Sequence, residues 1–85
     1  MANANFKARV FAVVRKIKKG QTLAYGEVAR RAGNPHAARA VGAVLRTNFD
    51  PMIPCHRVIR ADGMLGGYNR GIAKKKLLLK TERTS

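Results

Sequence analysis

Cysteine, proline and acidic residues are all scarce in this sequence, and each shortage excludes something. A single cysteine, Cys55, rules out an internal disulfide and a C-x-x-C metal site. Three prolines against a hydrophobic share of 46% argue for a folded chain rather than a disordered one. The longest purely aliphatic run is Leu77-Leu78-Leu79, far short of the ~20 residues a membrane span requires. No charged-then-apolar leader opens the chain, which argues against secretion. Together with the lone thiol it fits a reducing cytosol. At 85 residues there is room for one small domain with a thin core.

The shortage of acids decides the partner class. Only four Asp and Glu stand against eighteen Lys and Arg, for a net charge of +14. A small folded domain with that charge repels itself unless a polyanion is near. Nucleic acid is the first candidate, because phosphate neutralisation releases counterions. An anionic membrane surface comes second, and a merely soluble surface third.

Phe6, Val10, Val13, Val14 and Ile17 recur at helical spacing. They predict a first helix after a loose start at Ala2–Asn5, stopped by Gly20. A second helix is expected from about Tyr25 to Ala32, weakly started because Ala24 occupies the cap position, with Glu27 where a capping box has its acid. Gly33 ends it. Asn34-Pro35 then reads as a restart, Asn as cap and Pro in the first helical position. The third helix runs from there to about Arg46, with Ala38, Val41, Gly42 and Leu45 facing the core. Two short helices around a Gly-Asn-Pro turn, the second basic, read as helix-turn-helix. Asp62-Gly63 between Ile59 and Leu65 suggests a tight hairpin or wing. Residues 66–71 form a glycine-rich loop, which lacks any phosphate-loop pattern. Ile72 to Glu82 is helical again, with Leu78 and Leu79 inward and Lys74 to Lys76 mostly outward.

The chemistry concentrates in Pro54-Cys55-His56-Arg57-Val58. A lone buried cysteine is ordinarily inert packing. Here an imidazole is its neighbour, and Arg57 and Arg60 are close in sequence; positive surroundings favour the nucleophilic thiolate. Adjacent residues on a strand point to opposite faces. A working Cys55–His56 pair therefore needs either a backbone distorted by Pro54 or a bridging water.

Pro54-Cys55-His56-Arg57-Val58, followed by Gly66-Gly67-Tyr68 and Gly71, resembles the active-site signature of the O6-alkylguanine-DNA alkyltransferases. Tyr25-Gly26-Glu27-Val28-Ala29, Gly33-Asn34-Pro35 and Ala37-Ala38-Arg39-Ala40-Val41-Gly42 resemble the helix-turn-helix of the same family. The resemblance covers residues 6 to about 82. It implies a mainly α, winged helix-turn-helix-like domain with a small β-hairpin, residues 1–85 being the DNA-binding and catalytic domain without the family's N-terminal domain.

Site roles follow by the same resemblance. Cys55 is the implied alkyl acceptor, His56 its base through a bridging water, and Glu82 the orienter of the imidazole. Tyr25 would donate to the guanine ring, and Asn48 would brace the turn after the recognition helix. Arg39 would fill the space of a flipped nucleotide. Ala37, Ala40 and Ala43 are small enough for close approach in a minor groove of about 6 Å, and His36 and Arg46 would meet the backbone. Leu45, Pro51 and Tyr68 would wall the pocket beside Gly66 and Gly67, with backbone groups near Cys55, Val58 and Asn69 reading the base edge. Arg57 would tie the fold together rather than touch substrate.

The implied function is single-turnover repair, moving an alkyl group from O6 of guanine, and also O4 of thymine, onto Cys55, with no metal and no organic cofactor. The implied partner is double-stranded DNA bearing alkylated guanine, read with little sequence preference by a monomer. No membrane partner is implied, and the expected location is the cytoplasm at the nucleoid, or the nucleus in a eukaryote. One alternative is a damage sensor of the alkyltransferase-like branch, which lacks the acceptor cysteine, binds the lesion and recruits other repair proteins. The other is a non-catalytic basic helix-turn-helix protein. Retention of Cys55, His56 and Glu82 favours transfer.

Overall fold

The computed structural model describes residues 2–50, 52–68 and 70–84. Pro51 and Asn69, both expected at the pocket, lie outside the described residues. The order of elements is α1 (Ala2–Arg15), β1 (Leu23–Ala24), α2 (Tyr25–Arg31), α3 (Ala38–Arg46), a 3-10 turn (Cys55–Arg57), β2 (Val58–Ile59) and α4 (Ile72–Thr84). The fold is mainly helical with one small sheet, as the sequence implies.

Helix α1 starts at Ala2 rather than after Asn5. Ala2 and Ala4 are strong helix formers, and no glycine or proline interrupts the run. Its inward stripe holds, with Val10 and Val14 wholly buried. The helix ends at Arg15, and Lys16 and Ile17 donate backwards by three residues to Val13 and Val14. That tightened turn still delivers Ile17 into the core.

Helix α2 ends in a complete Schellman motif. Gly33, at φ +97°, donates to the Arg30 carbonyl at 3.0 Å, and Asn34 donates to Ala29 at 2.9 Å. This corrects the expected start of α3. Asn34 belongs to the closure of α2, and its Oδ1 accepts from the His36 amide at 3.2 Å. Residues 34–37 form a turn, and α3 opens only at Ala38 with Ala37 as an uncapped start. Glu27 likewise caps nothing. It pairs with Arg30 and Arg31 on the outer face of α2, which holds its carboxyl down at about 2, the Arg30 bonds foremost.

The expected hairpin is also corrected. The sheet is a parallel pair, Leu23 opposite Val58 and Ala24 opposite Ile59. The Asp62-Gly63 turn does form: Arg60 donates to Met64 at 2.9 Å, and Met64 donates to the Asp62 carboxylate. No ladder continues from it among the described residues, because Gly66 and Gly67 follow and the Leu65 carbonyl accepts from Lys75 instead. The core joins α1, α2, α3 and the segment from Ile53 to Val58. That core carries the 3-10 turn on one side of the helix-turn-helix.

Candidate active site

An open cavity of about 910 Å³ lies between α3 and the glycine-rich loop. Cys55 forms its floor at 8% exposure. Tyr25 stands at the start of α2, and Ala38, Gly42 and Leu45 form the α3 wall. Gly66, Gly67 and Tyr68 make the opposite wall, with Arg39, Arg46 and Arg60 completing the lining. Ala38, Gly42, Gly66 and Gly67 leave room on both walls for a flat ring to lie close to backbone.

Cys55 and His56 reach this region because the chain does not run as a strand there. Pro54 is followed by one 3-10 turn, and the Cys55 amide donates to Ile53 at 2.8 Å. Successive residues of a 3-10 turn diverge by about 120° rather than 180°. His56 Nε2 meets Glu82 Oε2 at 2.9 Å, both side chains being 12% exposed. Arg57 grips the same carboxylate with Nε on Oε1 at 2.9 Å and Nη2 on Oε2 at 2.8 Å. Its Nη1 also donates to the Ile17 carbonyl at 2.7 Å, so Arg57 staples α4 to the end of α1. The Arg57 bonds, and less strongly His56, hold the Glu82 carboxyl down at about 2 against the opposing effect of burial. An ionised Glu82 only accepts, so Nε2 is the donor, and in the neutral imidazole Nδ1 keeps the lone pair that can take a proton. No direct hydrogen bond joins Cys55 to His56 among the described residues. The His56 ring meets Tyr68 edge-on at 6.4 Å between centroids.

Tyr25 is half-buried, and its hydroxyl reaches the Gly67 carbonyl at 3.4 Å. Burial first, and the Cys55 charge second, push its pKa up, so the phenol keeps the proton it would donate. Tyr68 is pushed up for the same two reasons. Asn48 is buried; its Nδ2 donates to Ile53 and its Oδ1 accepts from Asp50. Since Ile53 also receives the Cys55 amide, Asn48 sets the turn from which Cys55 departs, without touching the cavity.

On α3 the exposed side carries Arg39, Ala40, Ala43 and Arg46. Ala37 departs from that arrangement, because it precedes the helix and packs half-buried against the core. His36 is exposed beside the same turn. Val58 departs from its expected place too. Its side chain is wholly buried, it does not line the cavity, and its carbonyl accepts from Lys75 at 2.7 Å.

Residues 5–84 match the family described as 6-O-methylguanine DNA methyltransferase, DNA binding domain. The chain belongs to this family. A methylated-DNA–protein-cysteine methyltransferase of Methanothermobacter thermautotrophicus is 50% identical over 80 residues, covering 94% of this chain and 45% of the relative. The chain thus spans about half the length of that relative. The structure of Mycobacterium tuberculosis OGT in complex with DNA superposes with a TM-score of 0.90 at 44% identity, over 94% of this chain and 49% of that one. S. pombe Atl1, in complex with damaged DNA containing O6-carboxymethylguanine, superposes with a TM-score of 0.81 at 32% identity, over 93% of this chain and 76% of that one.

Three features of the family's site in this chain escape sequence reading. Ala38 and Gly42, assigned to the core face of α3, line the cavity instead. Lys75, expected to point outward, is wholly buried and bonds three carbonyls. Its signal was present: Lys75, Leu78, Leu79 and Glu82 stand at i, i+3, i+4 and i+7, one face of α4.

Proposed function

We propose that this chain repairs alkylated DNA by a single-turnover transfer of an alkyl group from O6 of guanine, and also from O4 of thymine, to Cys55. The observation that carries the proposal is the position of the only thiol: at the floor of an open cavity, between a basic helix and a glycine wall, with His56 and an ionised Glu82 behind it.

His56 Nδ1 removes the Cys55 proton through one water. The thiolate attacks the alkyl carbon; the S–C bond forms as the C–O6 bond breaks, and the electron pair goes to the guanine. Tyr25 offers its hydroxyl proton to the ring as that charge develops, and the proton taken by His56 restores the balance through solvent. The thioether is not reversed, so each molecule acts once. Duplex DNA is met by the exposed side of α3, where Ala40 and Ala43 allow close approach and Arg39 enters the stack in place of the flipped base. The +14 charge and the DNA-bound state of the tuberculosis OGT support that docking.

A second reading, a sensor that binds the lesion without transfer, is favoured by the likeness to S. pombe Atl1 bound to damaged DNA. One experiment separates them. Intact-mass measurement after incubation with duplex bearing O6-methylguanine should find one added methyl group, mapped to the Cys55 peptide and lost in Cys55→Ser. Selective binding of the lesion with no adduct would assign the sensor role, and neither outcome would leave a plain helix-turn-helix protein.

A further inference from the structure

Helix α3 carries only two of the eighteen basic residues, Arg39 and Arg46. Docking on DNA through α3 therefore leaves most of the positive charge unused. Residues 1–26 hold six Lys and Arg and no acid. Four of the six, Arg15, Lys16, Lys18 and Lys19, crowd into the end of α1 and the turn after it, and all four are exposed. Attraction to the helix C-terminus accounts for Arg15 and Lys16, but it fades within the last turn and does not reach Lys18 and Lys19. No carboxylate pairs with Lys16, Lys18 or Lys19 among the described residues. Beside them lies a second cavity, of about 360 Å³, whose polar lining is Lys16, Gln21, Thr22 and Arg31. Each of these brings a donor, and no acid joins them. Arg31 gives its Nε to Glu27 at 2.7 Å, which leaves its two terminal nitrogens for another anion. The end of α4 closes the same corner. A Cβ on Gly20, at φ +86°, would lie 3.7 Å from the Glu82 carbonyl oxygen, and the next residue, Arg83, is exposed.

This corner is remote from the face that meets DNA first. Its cavity shares no residue with the one that Cys55 floors. Arg9, near the start of α1, lies beside the turn that precedes α3: its Nη1 would stand 3.7 Å from a Cβ on Gly33. Lys16 comes seven residues later, about 10 Å further along the axis and away from that turn. Helix α1 also turns its buried stripe towards α2 and α3, so its exposed side looks away from the exposed side of α3.

We propose that the end of α1, the turn at residues 16–23 and Arg31 form a second phosphate-backbone site, which holds a second DNA duplex while α3 lies on the first. The inference rests on the proposed docking of α3. Ammonium and guanidinium groups fit phosphate whatever the base sequence, so the second duplex needs no lesion. An anionic bilayer suits the patch less well, because its exposed residues, Lys16, Lys18, Lys19, Gly20 and Gln21, include no apolar anchor. A molecule that grips two segments can hand itself from one to the other without entering free solution, which shortens the search for a rare damaged base.

The test mixes the whole chain at low salt with two short undamaged duplexes, one carrying a donor dye and the other an acceptor. Energy transfer between the duplexes is expected, and sedimentation with duplex in excess should find one protein with two duplexes. One duplex per protein overturns the proposal and leaves docking by α3 standing. Two proteins joining two duplexes through a protein contact overturns it as well. No duplex bound at all refutes docking by α3 and this inference with it. Lys16→Gln, Lys18→Gln and Lys19→Gln together should weaken the second duplex on the order of 10²-fold and flatten its log–log salt slope by about 3. All three lysines are exposed, so the melting temperature should not change. Transfer from saturating alkylated duplex should keep its rate in that variant; a slowed transfer would put the lysines on the first duplex and overturn the proposal. Lys7→Gln, Lys74→Gln and Lys76→Gln together remove the same charge elsewhere and should leave the bridging intact. An equal loss there would reduce the effect to overall charge and refute a site. Phosphatidylglycerol vesicles that bind through Lys16, Lys18 and Lys19 when no second duplex does would assign the patch to a membrane instead. The bridging arms need no alkyl transfer, so they stand or fall apart from the chemistry at Cys55.

Discussion

Replacing Glu82 by glutamine keeps the shape of the side chain and removes its charge. The carboxylate accepts two bonds from Arg57 and one from His56. Its pKa falls from an ordinary 4.5 to about 2, which at about 1.4 kcal/mol per unit corresponds to about 3 kcal/mol. Water still reaches 12% of the side chain, and that screening brings the expected loss in Glu82→Gln to about 2 kcal/mol. For a domain of this size the melting temperature should drop by roughly 10 °C at pH 7. The pH dependence has a definite sign. A depressed carboxyl pKa contributes stability that is complete above about 4.5 and is lost as the pH falls towards about 2, with more than half gone by pH 3. Thermal melts of both proteins at pH 7, 4 and 3 should therefore converge as the pH falls. Arg57→Met should add little in the Glu82→Gln background, apart from the bond to Ile17 that Arg57 also makes. A gap between the two proteins that is as wide at pH 3 as at pH 7 would refute the account, as would a gap under about 2 °C at pH 7.

Three further outcomes follow from the same geometry. Binding to plain duplex, followed by anisotropy across a salt series, should give a log–log slope of about −4 to −5 if about five phosphates are contacted, and a flat dependence would defeat electrostatic docking. Arg39→Ala should slow repair in duplex far more than reaction with the free alkylated base; equal losses would mean that Arg39 does not replace the flipped nucleotide. Gly66→Ala should cost about 1–2 kcal/mol in denaturant melts, because Gly66 sits at φ +70° with Tyr25 3.0 Å and Arg60 3.3 Å from the would-be Cβ. Gly67→Ala, with open space around it, should be close to neutral.

The helices were legible because their signals are local. Val10 and Val14 announce the buried stripe of α1, and Gly33 announces the end of α2. Asn34 misled for a physical reason: cap chemistry and Schellman closure use the same residue types within two positions, and only the bond to Ala29 decides which helix receives it. The hairpin misled because a sound turn at Asp62-Gly63 does not specify a ladder beyond it. Val58 pairs with Leu23, 35 positions earlier, and nothing local encodes that. At the site, Cys55 and His56 were visible as neighbours, while the 3-10 turn that puts Cys55 on the cavity and His56 on Glu82 was not. Glu82 stands near a helix C-terminus, against the dipole preference for cations there, and that misfit was a usable hint of a specific partner. Lys75 was missed because charge was weighed above position; its place on the face of Leu78 and Leu79 pointed inward.

Helix α4 carries Lys75 and Glu82 seven residues apart on one face, about 10 Å along the axis. One is bonded behind the glycine wall, the other behind the imidazole, so the helix works as a ruler with two marks. A single-residue insertion between them would turn one mark by about 100° relative to the other, and no loop could absorb the error. Length polymorphism should thus be far better tolerated in the turn at residues 60–64 than anywhere between positions 75 and 82, where the reading frame of the helix is itself part of the proposed active site.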